Sequence, residues 1–166
     1  MTFCANEELE NRGFTYGNDV RISRLAQFYN CKLVLGNNVR IDDFAIIKGH
    51  VEIGSNVHIG AGCIIGGIDG SVCIGNNVGI SNHVSIYTGT EDFLSQKRGN
   101  PTMDDVDRDV ICGPVTIGDD CIVGTGTIIL PNSVVGSRVS ISARCIINGI
   151  IPSNKSVIQR TVQKVI

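Results

Sequence analysis

An aliphatic residue recurs at every sixth position over residues 111–151, and this period is the dominant pattern of the chain. A helix requires apolar residues near a period of 3.6, and a half-buried strand requires a period of 2. A fixed period of six is therefore a repeat signature. The sixth-position series is Ile111, Ile117, Val123, Ile129, Val135, Ile141 and Ile147. A second small or apolar residue follows each of these by four positions, in the series Val115, Cys121, Thr127, Ser133, Val139, Cys145 and Ile151.

Each hexad is predicted to be a short strand followed by a turn, with its first and fifth residues facing inward. Three hexads form one triangular coil of about 18 residues, and successive coils stack at the inter-strand spacing of roughly 4.8 Å. The pattern therefore predicts an all-β protein, a parallel β-helix whose inward residues form one vertical stack on each face.

The same frame extends toward the N-terminus and is interrupted twice. It slips by three residues after Ile65, across residues 66–70, and it breaks again from Tyr87 to Val110. If each interruption lies within one face, both inserted segments extend outward from the same corner on adjacent coils. A functional site is therefore expected at this corner. The earlier repeat positions are Leu35, Ile41, Ile47, Ile53, Ile59, Ile65, Ile74, Ile80 and Ile86.

Three regions are predicted from these boundaries. Residues 1–19 form an N-terminal cap with one short helix that ends at Gly13. Residues 20–152 form the β-helix, whose first coil has one extra residue between Phe28 and Leu35 and whose long loop spans 87–110. Residues 153–166 form a tail that could be a closing strand. The loop is polar, and a loop of this length in a compact repeat protein is usually functional.

Composition narrows the class of protein. With 166 residues and 42% hydrophobic content, one domain with its own core is expected, and a net charge of -2 argues against nucleic acid as the main partner. The chain has no transmembrane-length apolar run and no signal-like start, which predicts a soluble cytoplasmic protein. Seven cysteines without a CxxC pair fit a reducing compartment. We expect no metal, and we expect Cys63, Cys121 and Cys145 to be core residues.

The repeat motif itself resembles that of a known family. The segments IGSNVH at 53, IGNNVG at 74 and IGDDCI at 117, with VGTGTI at 123, are similar to the repeats of the hexapeptide-repeat acyltransferases. Their fold is a left-handed parallel β-helix. GPVTIGDDCIVGTGTIILPNSVVG and the closing segment most resemble sugar O-acetyltransferases of the maltose/galactoside and surface-polysaccharide type. The resemblance implies transfer of an acetyl group from acetyl-CoA to a hydroxyl of a sugar or nucleotide-sugar precursor of a surface polysaccharide, in a homotrimer with sites between neighbouring prisms.

The family's catalytic histidine lies at the mouth of the long loop, where this chain has Glu91 followed by Asp92. His83 is the fourth residue of the preceding hexad, a position that points outward, and an imidazole suits proton transfer near neutral pH. We therefore predict that His83 is the general base and that Asp92 or Glu91 orients it or takes its place. The candidate acceptor-binding residues are Asn82, Tyr87 and His58, and His58 is expected at a corner.

Coenzyme A binding in the family uses backbone groups after the loop and basic side chains in the tail. Position by position, the resemblance indicates Gly124, Thr125, Ala143, Asn148 and Lys164. Lys155 and Arg160 are alternatives for contacting the nucleotide phosphates.

Two other functions compete with acyl transfer. One is a carbonic anhydrase-like metalloenzyme, but the spacing of His50, His58 and His83 does not match its zinc ligands. The other is a non-catalytic trimeric scaffold or binding module, which the absent loop histidine favours and the retained loop opposes.

Overall fold

A computed structural model of the chain describes residues 2–97 and 99–159. In these residues, one short helix, α1 (Asn6–Asn11), precedes a series of short strands, and a 3-10 turn (Asp105–Asp107) lies in the long loop. The strands, in chain order, are β1 (Thr15–Tyr16), β2 (Arg21–Ile22), β3 (Gln27–Leu35), β4 (Val39–Ile41), β5 (Ile46–Ile53), β6 (Val57–Ile59), β7 (Ile64–Ile74), β8 (Gly79–Ile80), β9 (Ser85–Ile86), β10 (Gly89–Glu91), β11 (Val110–Cys112), β12 (Val115–Ile117), β13 (Ile122–Val123), β14 (Ile128–Ile129), β15 (Val134–Val135), β16 (Ser140–Ile141), β17 (Ile146–Ile147), β18 (Ile150–Ile151) and β19 (Ser156–Val157).

These strands wind into a three-sided parallel β-helix, as the period of six predicts. We name the three sides faces A, B and C in the order in which each coil visits them. Face A consists of β1, the second halves of β3, β5 and β7, and then β12, β15 and β18. Face B consists of β2, β4, β6, β8, β13, β16 and β19. Face C consists of the first halves of β3, β5 and β7, and then β9, β14 and β17.

The inward stacks form the core, and the predicted hexad frame is confirmed over residues 115–147. The first-position residues from Ile117 to Ile147 are each at most 3% exposed. Polar residues at the fifth position are buried as well, because each bonds to a carbonyl of the next coil. Thr127 donates to the Ser142 carbonyl at 3.1 Å, and Ser133 donates to the Ile147 carbonyl at 3.3 Å.

The prediction that Ile111 belongs to this core stack is wrong. Ile111 is 43% exposed and lies on β11, which pairs antiparallel with β10 opposite Thr90. The two strands form a stem for the long loop, so the parallel coils resume only at Val115. Gly113 and Pro114 separate the stem from the repeat, and the hexad spacing of Ile111 is a coincidence of sequence.

The interruptions of the frame all lie at the corner between faces C and A, as predicted. Ile65 pairs with Ile86 before this corner, and Val72 pairs with Val115 after it. Residues 66–71 and 87–114 therefore leave the same corner on adjacent coils. The predicted extra residue of the first coil is at this corner too, where Asn30 and Cys31 lie opposite Gly49 alone.

The N-terminal segment closes one end of the column. The helix α1 is the predicted one, and Gly13 after it has a φ of 71°, the left-handed conformation that glycine adopts readily. Leu9 is 1% exposed and belongs to the core cluster. The parallel strands begin with β1, before residue 20, and continue to β19, after residue 152. The solenoid thus includes parts of the predicted cap and tail. No helix in the described residues is long and apolar enough to span a membrane.

Candidate functional site

The long loop is attached to the column by its antiparallel stem and by ion pairs. Arg108 contacts Glu91, and both side chains are largely buried. Further out, Asp109 accepts a hydrogen bond from Ser95 and lies 3.1 Å from the Lys97 ammonium. These two partners, Ser95 first, lower the pKa of the Asp109 carboxyl. The two ends of the loop are therefore held together at the corner between faces C and A.

A cavity of about 860 Å³ lies beneath this stem. Charged side chains of both signs line it, together with the Tyr87 ring and the Cys112 thiol. The charged residues are Lys48, Asp69, Glu91 and Arg108. Two of the residues predicted to act at the site, Tyr87 and Glu91, thus line the same cavity.

The corner between faces B and C gathers a different set of predicted residues. Gly124 stacks on the backbone of Ala143 one coil further, so closely that a Cβ at Gly124 would lie 2.4 Å from the Ala143 nitrogen. Beside them, a cavity of about 280 Å³ is lined by Thr125, Asn82 and His58, among others. Two predicted acceptor residues therefore lie beside a predicted coenzyme A residue.

His83 occupies the predicted outward fourth position, and its backbone is left-handed with a φ of 57°. Its exposed imidazole lies over Gly62 of the preceding coil, where a Cβ would be 2.4 Å from Nδ1. In the described part of the chain, no hydrogen bond or ion pair joins this imidazole to Glu91 or Asp92. Glu91 contacts Arg108, and Asp92 Oδ1 accepts the Leu94 amide at 2.9 Å. The pairing of His83 with a loop carboxylate stays a prediction.

His58 is not a corner residue, and that prediction is wrong. It is the central residue of β6, and it points outward because its neighbours Val57 and Ile59 point into the core. Its Nε2 lies 2.8 Å from Oδ2 of Asp42, and Arg40 Nε donates to Oδ1 of the same carboxylate at 2.6 Å. Asp42 is only 6% exposed. Burial raises the pKa of Asp42, but the hydrogen bonds from His58 and Arg40 outweigh it and lower the pKa.

Sequence reasoning missed Asp42. The residue lies 16 positions before His58, close to one coil length, so a search for carboxylates one coil away from each histidine would have found it.

The remaining predicted coenzyme A residues are spread over the column. Exposed Asn148 lies at the corner between faces C and A, and exposed Lys155 precedes β19 at the corner between faces A and B. Lys164 lies outside the described residues. Among the members of this set that lie within residues 2–97 and 99–159, one chain brings together Gly124, Thr125 and Ala143.

His50 and His58 take separate partners. His50 Nε2 lies 3.0 Å from Glu52, and His58 contacts Asp42. Within residues 2–97 and 99–159, no three side chains of His, Cys, Asp or Glu are grouped to hold a metal ion. Cys63, Cys121 and Cys145 are buried core residues as predicted, and burial raises the pKa of Cys63 to about 11.

Comparison with known proteins identifies the class to which this column of hexapeptide coils belongs. The family described as bacterial transferase hexapeptide (six repeats) matches residues 32–67. The dTDP-4-amino-4,6-dideoxy-D-glucose acyltransferase of Escherichia coli is 34% identical over 153 residues, which cover 89% of this chain and 79% of that enzyme. The chain belongs to the hexapeptide-repeat acyltransferases, and its fold is their left-handed β-helix.

Solved structures of AntD, an N-acyltransferase from Bacillus cereus, have the same fold. A variant bound to dTDP-4-amino-4,6-dideoxyglucose and coenzyme A has a TM-score of 0.91 and 32% identity, covering 98% of this chain and 88% of AntD. The complex of AntD with dTDP and 3-hydroxybutyryl-CoA has a TM-score of 0.85 and 33% identity, covering 91% of this chain and 81% of AntD.

The contact between His83 and Gly62 leads to a first prediction. Gly62→Ala should displace the imidazole, since the new Cβ would lie 2.6 Å from Cε1. Gly126→Ala is the matched control, because Gly126 has the same hexad position and a φ of 70°, but its nearest neighbour is Arg144 Cγ at 3.6 Å. Both variants should lose about 1–2 kcal/mol of stability from the left-handed backbone. Only Gly62→Ala should shift the imidazole NMR resonances of His83. Unchanged His83 resonances in Gly62→Ala would contradict the contact between the imidazole and Gly62.

The cluster around Asp42 leads to a second prediction, about pH. Because the pKa of Asp42 is lowered in the native state, its contribution to stability is present above its unfolded pKa and is lost as pH falls through the lower native pKa. Asp42→Asn should therefore cost roughly 1–3 kcal/mol near pH 7. The difference from the wild type should shrink as pH falls below about 4. Urea unfolding at several pH values measures this. Asp107→Asn is the control, because Asp107 is exposed. If the stability lost in Asp42→Asn does not change with pH, Asp42 is not held ionised by His58 and Arg40.

Proposed function

We propose that this protein transfers an acyl group from acyl-CoA to the amino group of a nucleotide-linked sugar. The observation that carries the proposal is the likeness to AntD over nearly the whole chain, since the AntD complexes hold coenzyme A together with a dTDP-linked amino sugar. The cavity of His58, Asn82 and Thr125 supports it, because predicted acceptor and coenzyme A residues meet there.

The reaction forms one bond and breaks one bond. The acceptor nitrogen attacks the thioester carbonyl carbon, a C–N bond forms, and the C–S bond breaks. The proton lost by the amine goes to a general base and then to the departing thiolate, which leaves as free coenzyme A. Proton transfer by a positioned side chain contributes typically 10²–10⁴-fold to the rate.

His83 is our candidate for the general base. Its imidazole is exposed at the corner next to Asn82, and the Gly62 contact limits its orientation on one side. Glu91 and Asp92 on the loop are the candidate carboxylates to orient it or replace it. In a homotrimer, the loop of one prism can reach the exposed corner of the next, so these groups could meet between chains.

A homotrimer also accounts for the scattered coenzyme A residues. Gly124, Thr125 and Ala143 would contact coenzyme A from one prism, while Asn148, Lys155 and Lys164 would contribute from the neighbouring one. A single column has no wall opposite its corner, and a second column supplies one. The trimer and the cytoplasmic location stay predictions.

The sequence also predicts details of the reaction that stay predictions. These are a hydroxyl acceptor, an acetyl donor and a role in surface-polysaccharide synthesis. The relatives favour an amino acceptor and include one bound to a 3-hydroxybutyryl donor. A non-catalytic scaffold is the remaining alternative. It predicts that calorimetry shows no binding of acetyl-CoA at millimolar concentration.

A direct assay tests the acceptor. The purified protein is incubated with acetyl-CoA or 3-hydroxybutyryl-CoA and with either dTDP-4-amino-4,6-dideoxyglucose or dTDP-glucose, and the release of free thiol is followed. We expect release with the amino sugar, because an unprotonated amine is a better nucleophile than a hydroxyl. Release with dTDP-glucose alone would establish the hydroxyl acceptor instead, and release with neither sugar would count against nucleotide-linked hexoses.

The same assay tests the base. His83→Ala should lower turnover by about a hundredfold or more, because the proton acceptor is lost. His50→Ala is the matched control, since His50 contacts Glu52 on another part of the column. Near-normal turnover in the His83 variant would exclude His83 as the base.

A further inference from the structure

Three nitrogen-bearing side chains form a ladder on the outer surface of face B. Arg21 pairs in register with Arg40 on the next coil, and Arg40 pairs with His58 on the coil after that. All three alternate with buried core residues, so their side chains project from the same face. Successive rungs lie roughly 4.8 Å apart.

This ladder is electrostatically unfavourable without an anion. Like charges directly opposite on paired strands are destabilising. Asp42 supplies one negative charge, but it is buried and already accepts hydrogen bonds from Arg40 and His58. In the described part of the chain, the Arg21 side chain makes no hydrogen bond and no ion pair. A residual positive charge therefore remains at the Arg21 end of the ladder.

The ladder lines a groove that continues to the candidate site. A cavity of about 450 Å³ is bounded by Arg21, Arg40 and His58, and the side chains of Asn38, Asn56 and Asn77 border it on one side. His58 and Gly79 also line the cavity that contains Asn82 and Thr125. The two cavities are thus adjacent along face B, and we call them together the face B groove.

Gly79 lines both cavities, and its lack of a side chain leaves a recess between them. It occupies the rung after His58, and Ile122 occupies the rung after Gly79. A Cβ at Gly79 would meet no atom within 4 Å, so neither packing nor a left-handed backbone requires glycine here. The absent side chain leaves room beside His58 for part of a ligand.

We propose that the face B groove binds the diphosphate of the nucleotide-linked acceptor, with Arg21 and Arg40 contacting the phosphates and the sugar lying in the recess at Gly79. The inference rests on the proposed function. Guanidinium groups bind phosphate oxygens in bidentate geometry, and two cations one rung apart suit two linked phosphates. Coenzyme A also carries a diphosphate. The residues predicted to bind coenzyme A, Thr125 and Ala143, lie on the opposite side of the recess, toward the C-terminal coils.

Calorimetry with the full chain tests this assignment. The probes are dTDP, dTMP, thymidine and coenzyme A. We expect dTDP to bind most tightly of the three thymine probes. Arg21→Ala should weaken dTDP binding by about 10- to 100-fold, the loss of one charge-assisted contact. Gly79→Val should fill the recess and leave dTDP binding unchanged, while it raises the KM for the dTDP-linked amino sugar at least tenfold. Arg138→Ala, two coils beyond Asn77 on the corner between faces A and B, is the control and should change neither.

The outcomes separate the two proposals. Unchanged dTDP affinity in Arg21→Ala would overturn the diphosphate site, even if the enzyme remains active. Weaker coenzyme A binding with unchanged dTDP binding would assign the groove to the donor and likewise overturn it. If neither coenzyme A nor dTDP binds the wild-type protein, the proposed function itself fails. Thermal unfolding of the Arg21 and Gly79 variants checks that the fold is retained, which we expect because Arg21 is exposed and a Cβ at Gly79 would meet no atom within 4 Å.

Discussion

The register between stacked coils is the constraint on which the rest of this structure depends. Each coil bonds its backbone to the coils before and after it, as in the bond from the Ile122 amide to the Val139 carbonyl at 3.0 Å. Because side chains alternate between inside and outside, a slip of one residue would place polar groups in the core. The hexads therefore keep their spacing, and insertions are confined to one corner, where Ile65 still meets Ile86 and Val72 still meets Val115.

The same register organises the outer surface into ladders. Outward residues on successive coils lie directly above one another, so a residue on one coil meets its counterpart on the next. At the corner between faces A and B, this stacking adds stabilising hydrogen bonds between successive coils. Asn38 bonds to Asn56, Asn56 to Asn77 and Asn77 to Asp120, at 2.9–3.0 Å. Face B uses it to align Arg21, Arg40 and His58. A glycine in such a ladder opens a recess, as Gly79 does on face B and Gly62 does beneath His83.

The site residues of one chain are divided between the corner that carries the loop and the surface of face B with its edge toward face C. Tyr87 and Glu91 line the cavity under the loop stem, whereas Asn82, His58 and Thr125 line the face B groove. A rigid column cannot bend to bring its corners together, because every coil is fixed by its neighbours. An active site that needs both sets must be formed between columns, which is the arrangement that the homotrimer proposal supplies.

The sequence by itself determined the winding of the chain. The period of six predicted which residues face inward over 115–147, that both interruptions share one corner, and that the first coil holds an extra residue. These features are local, since each follows from spacing along the chain. Only the tertiary structure decided that Ile111 belongs to an antiparallel stem, that Asp42 holds His58 and Arg40, and that Glu91 contacts Arg108. Such contacts join residues on different coils or across a loop, and a pattern of inward and outward positions says nothing about which outward side chains reach one another.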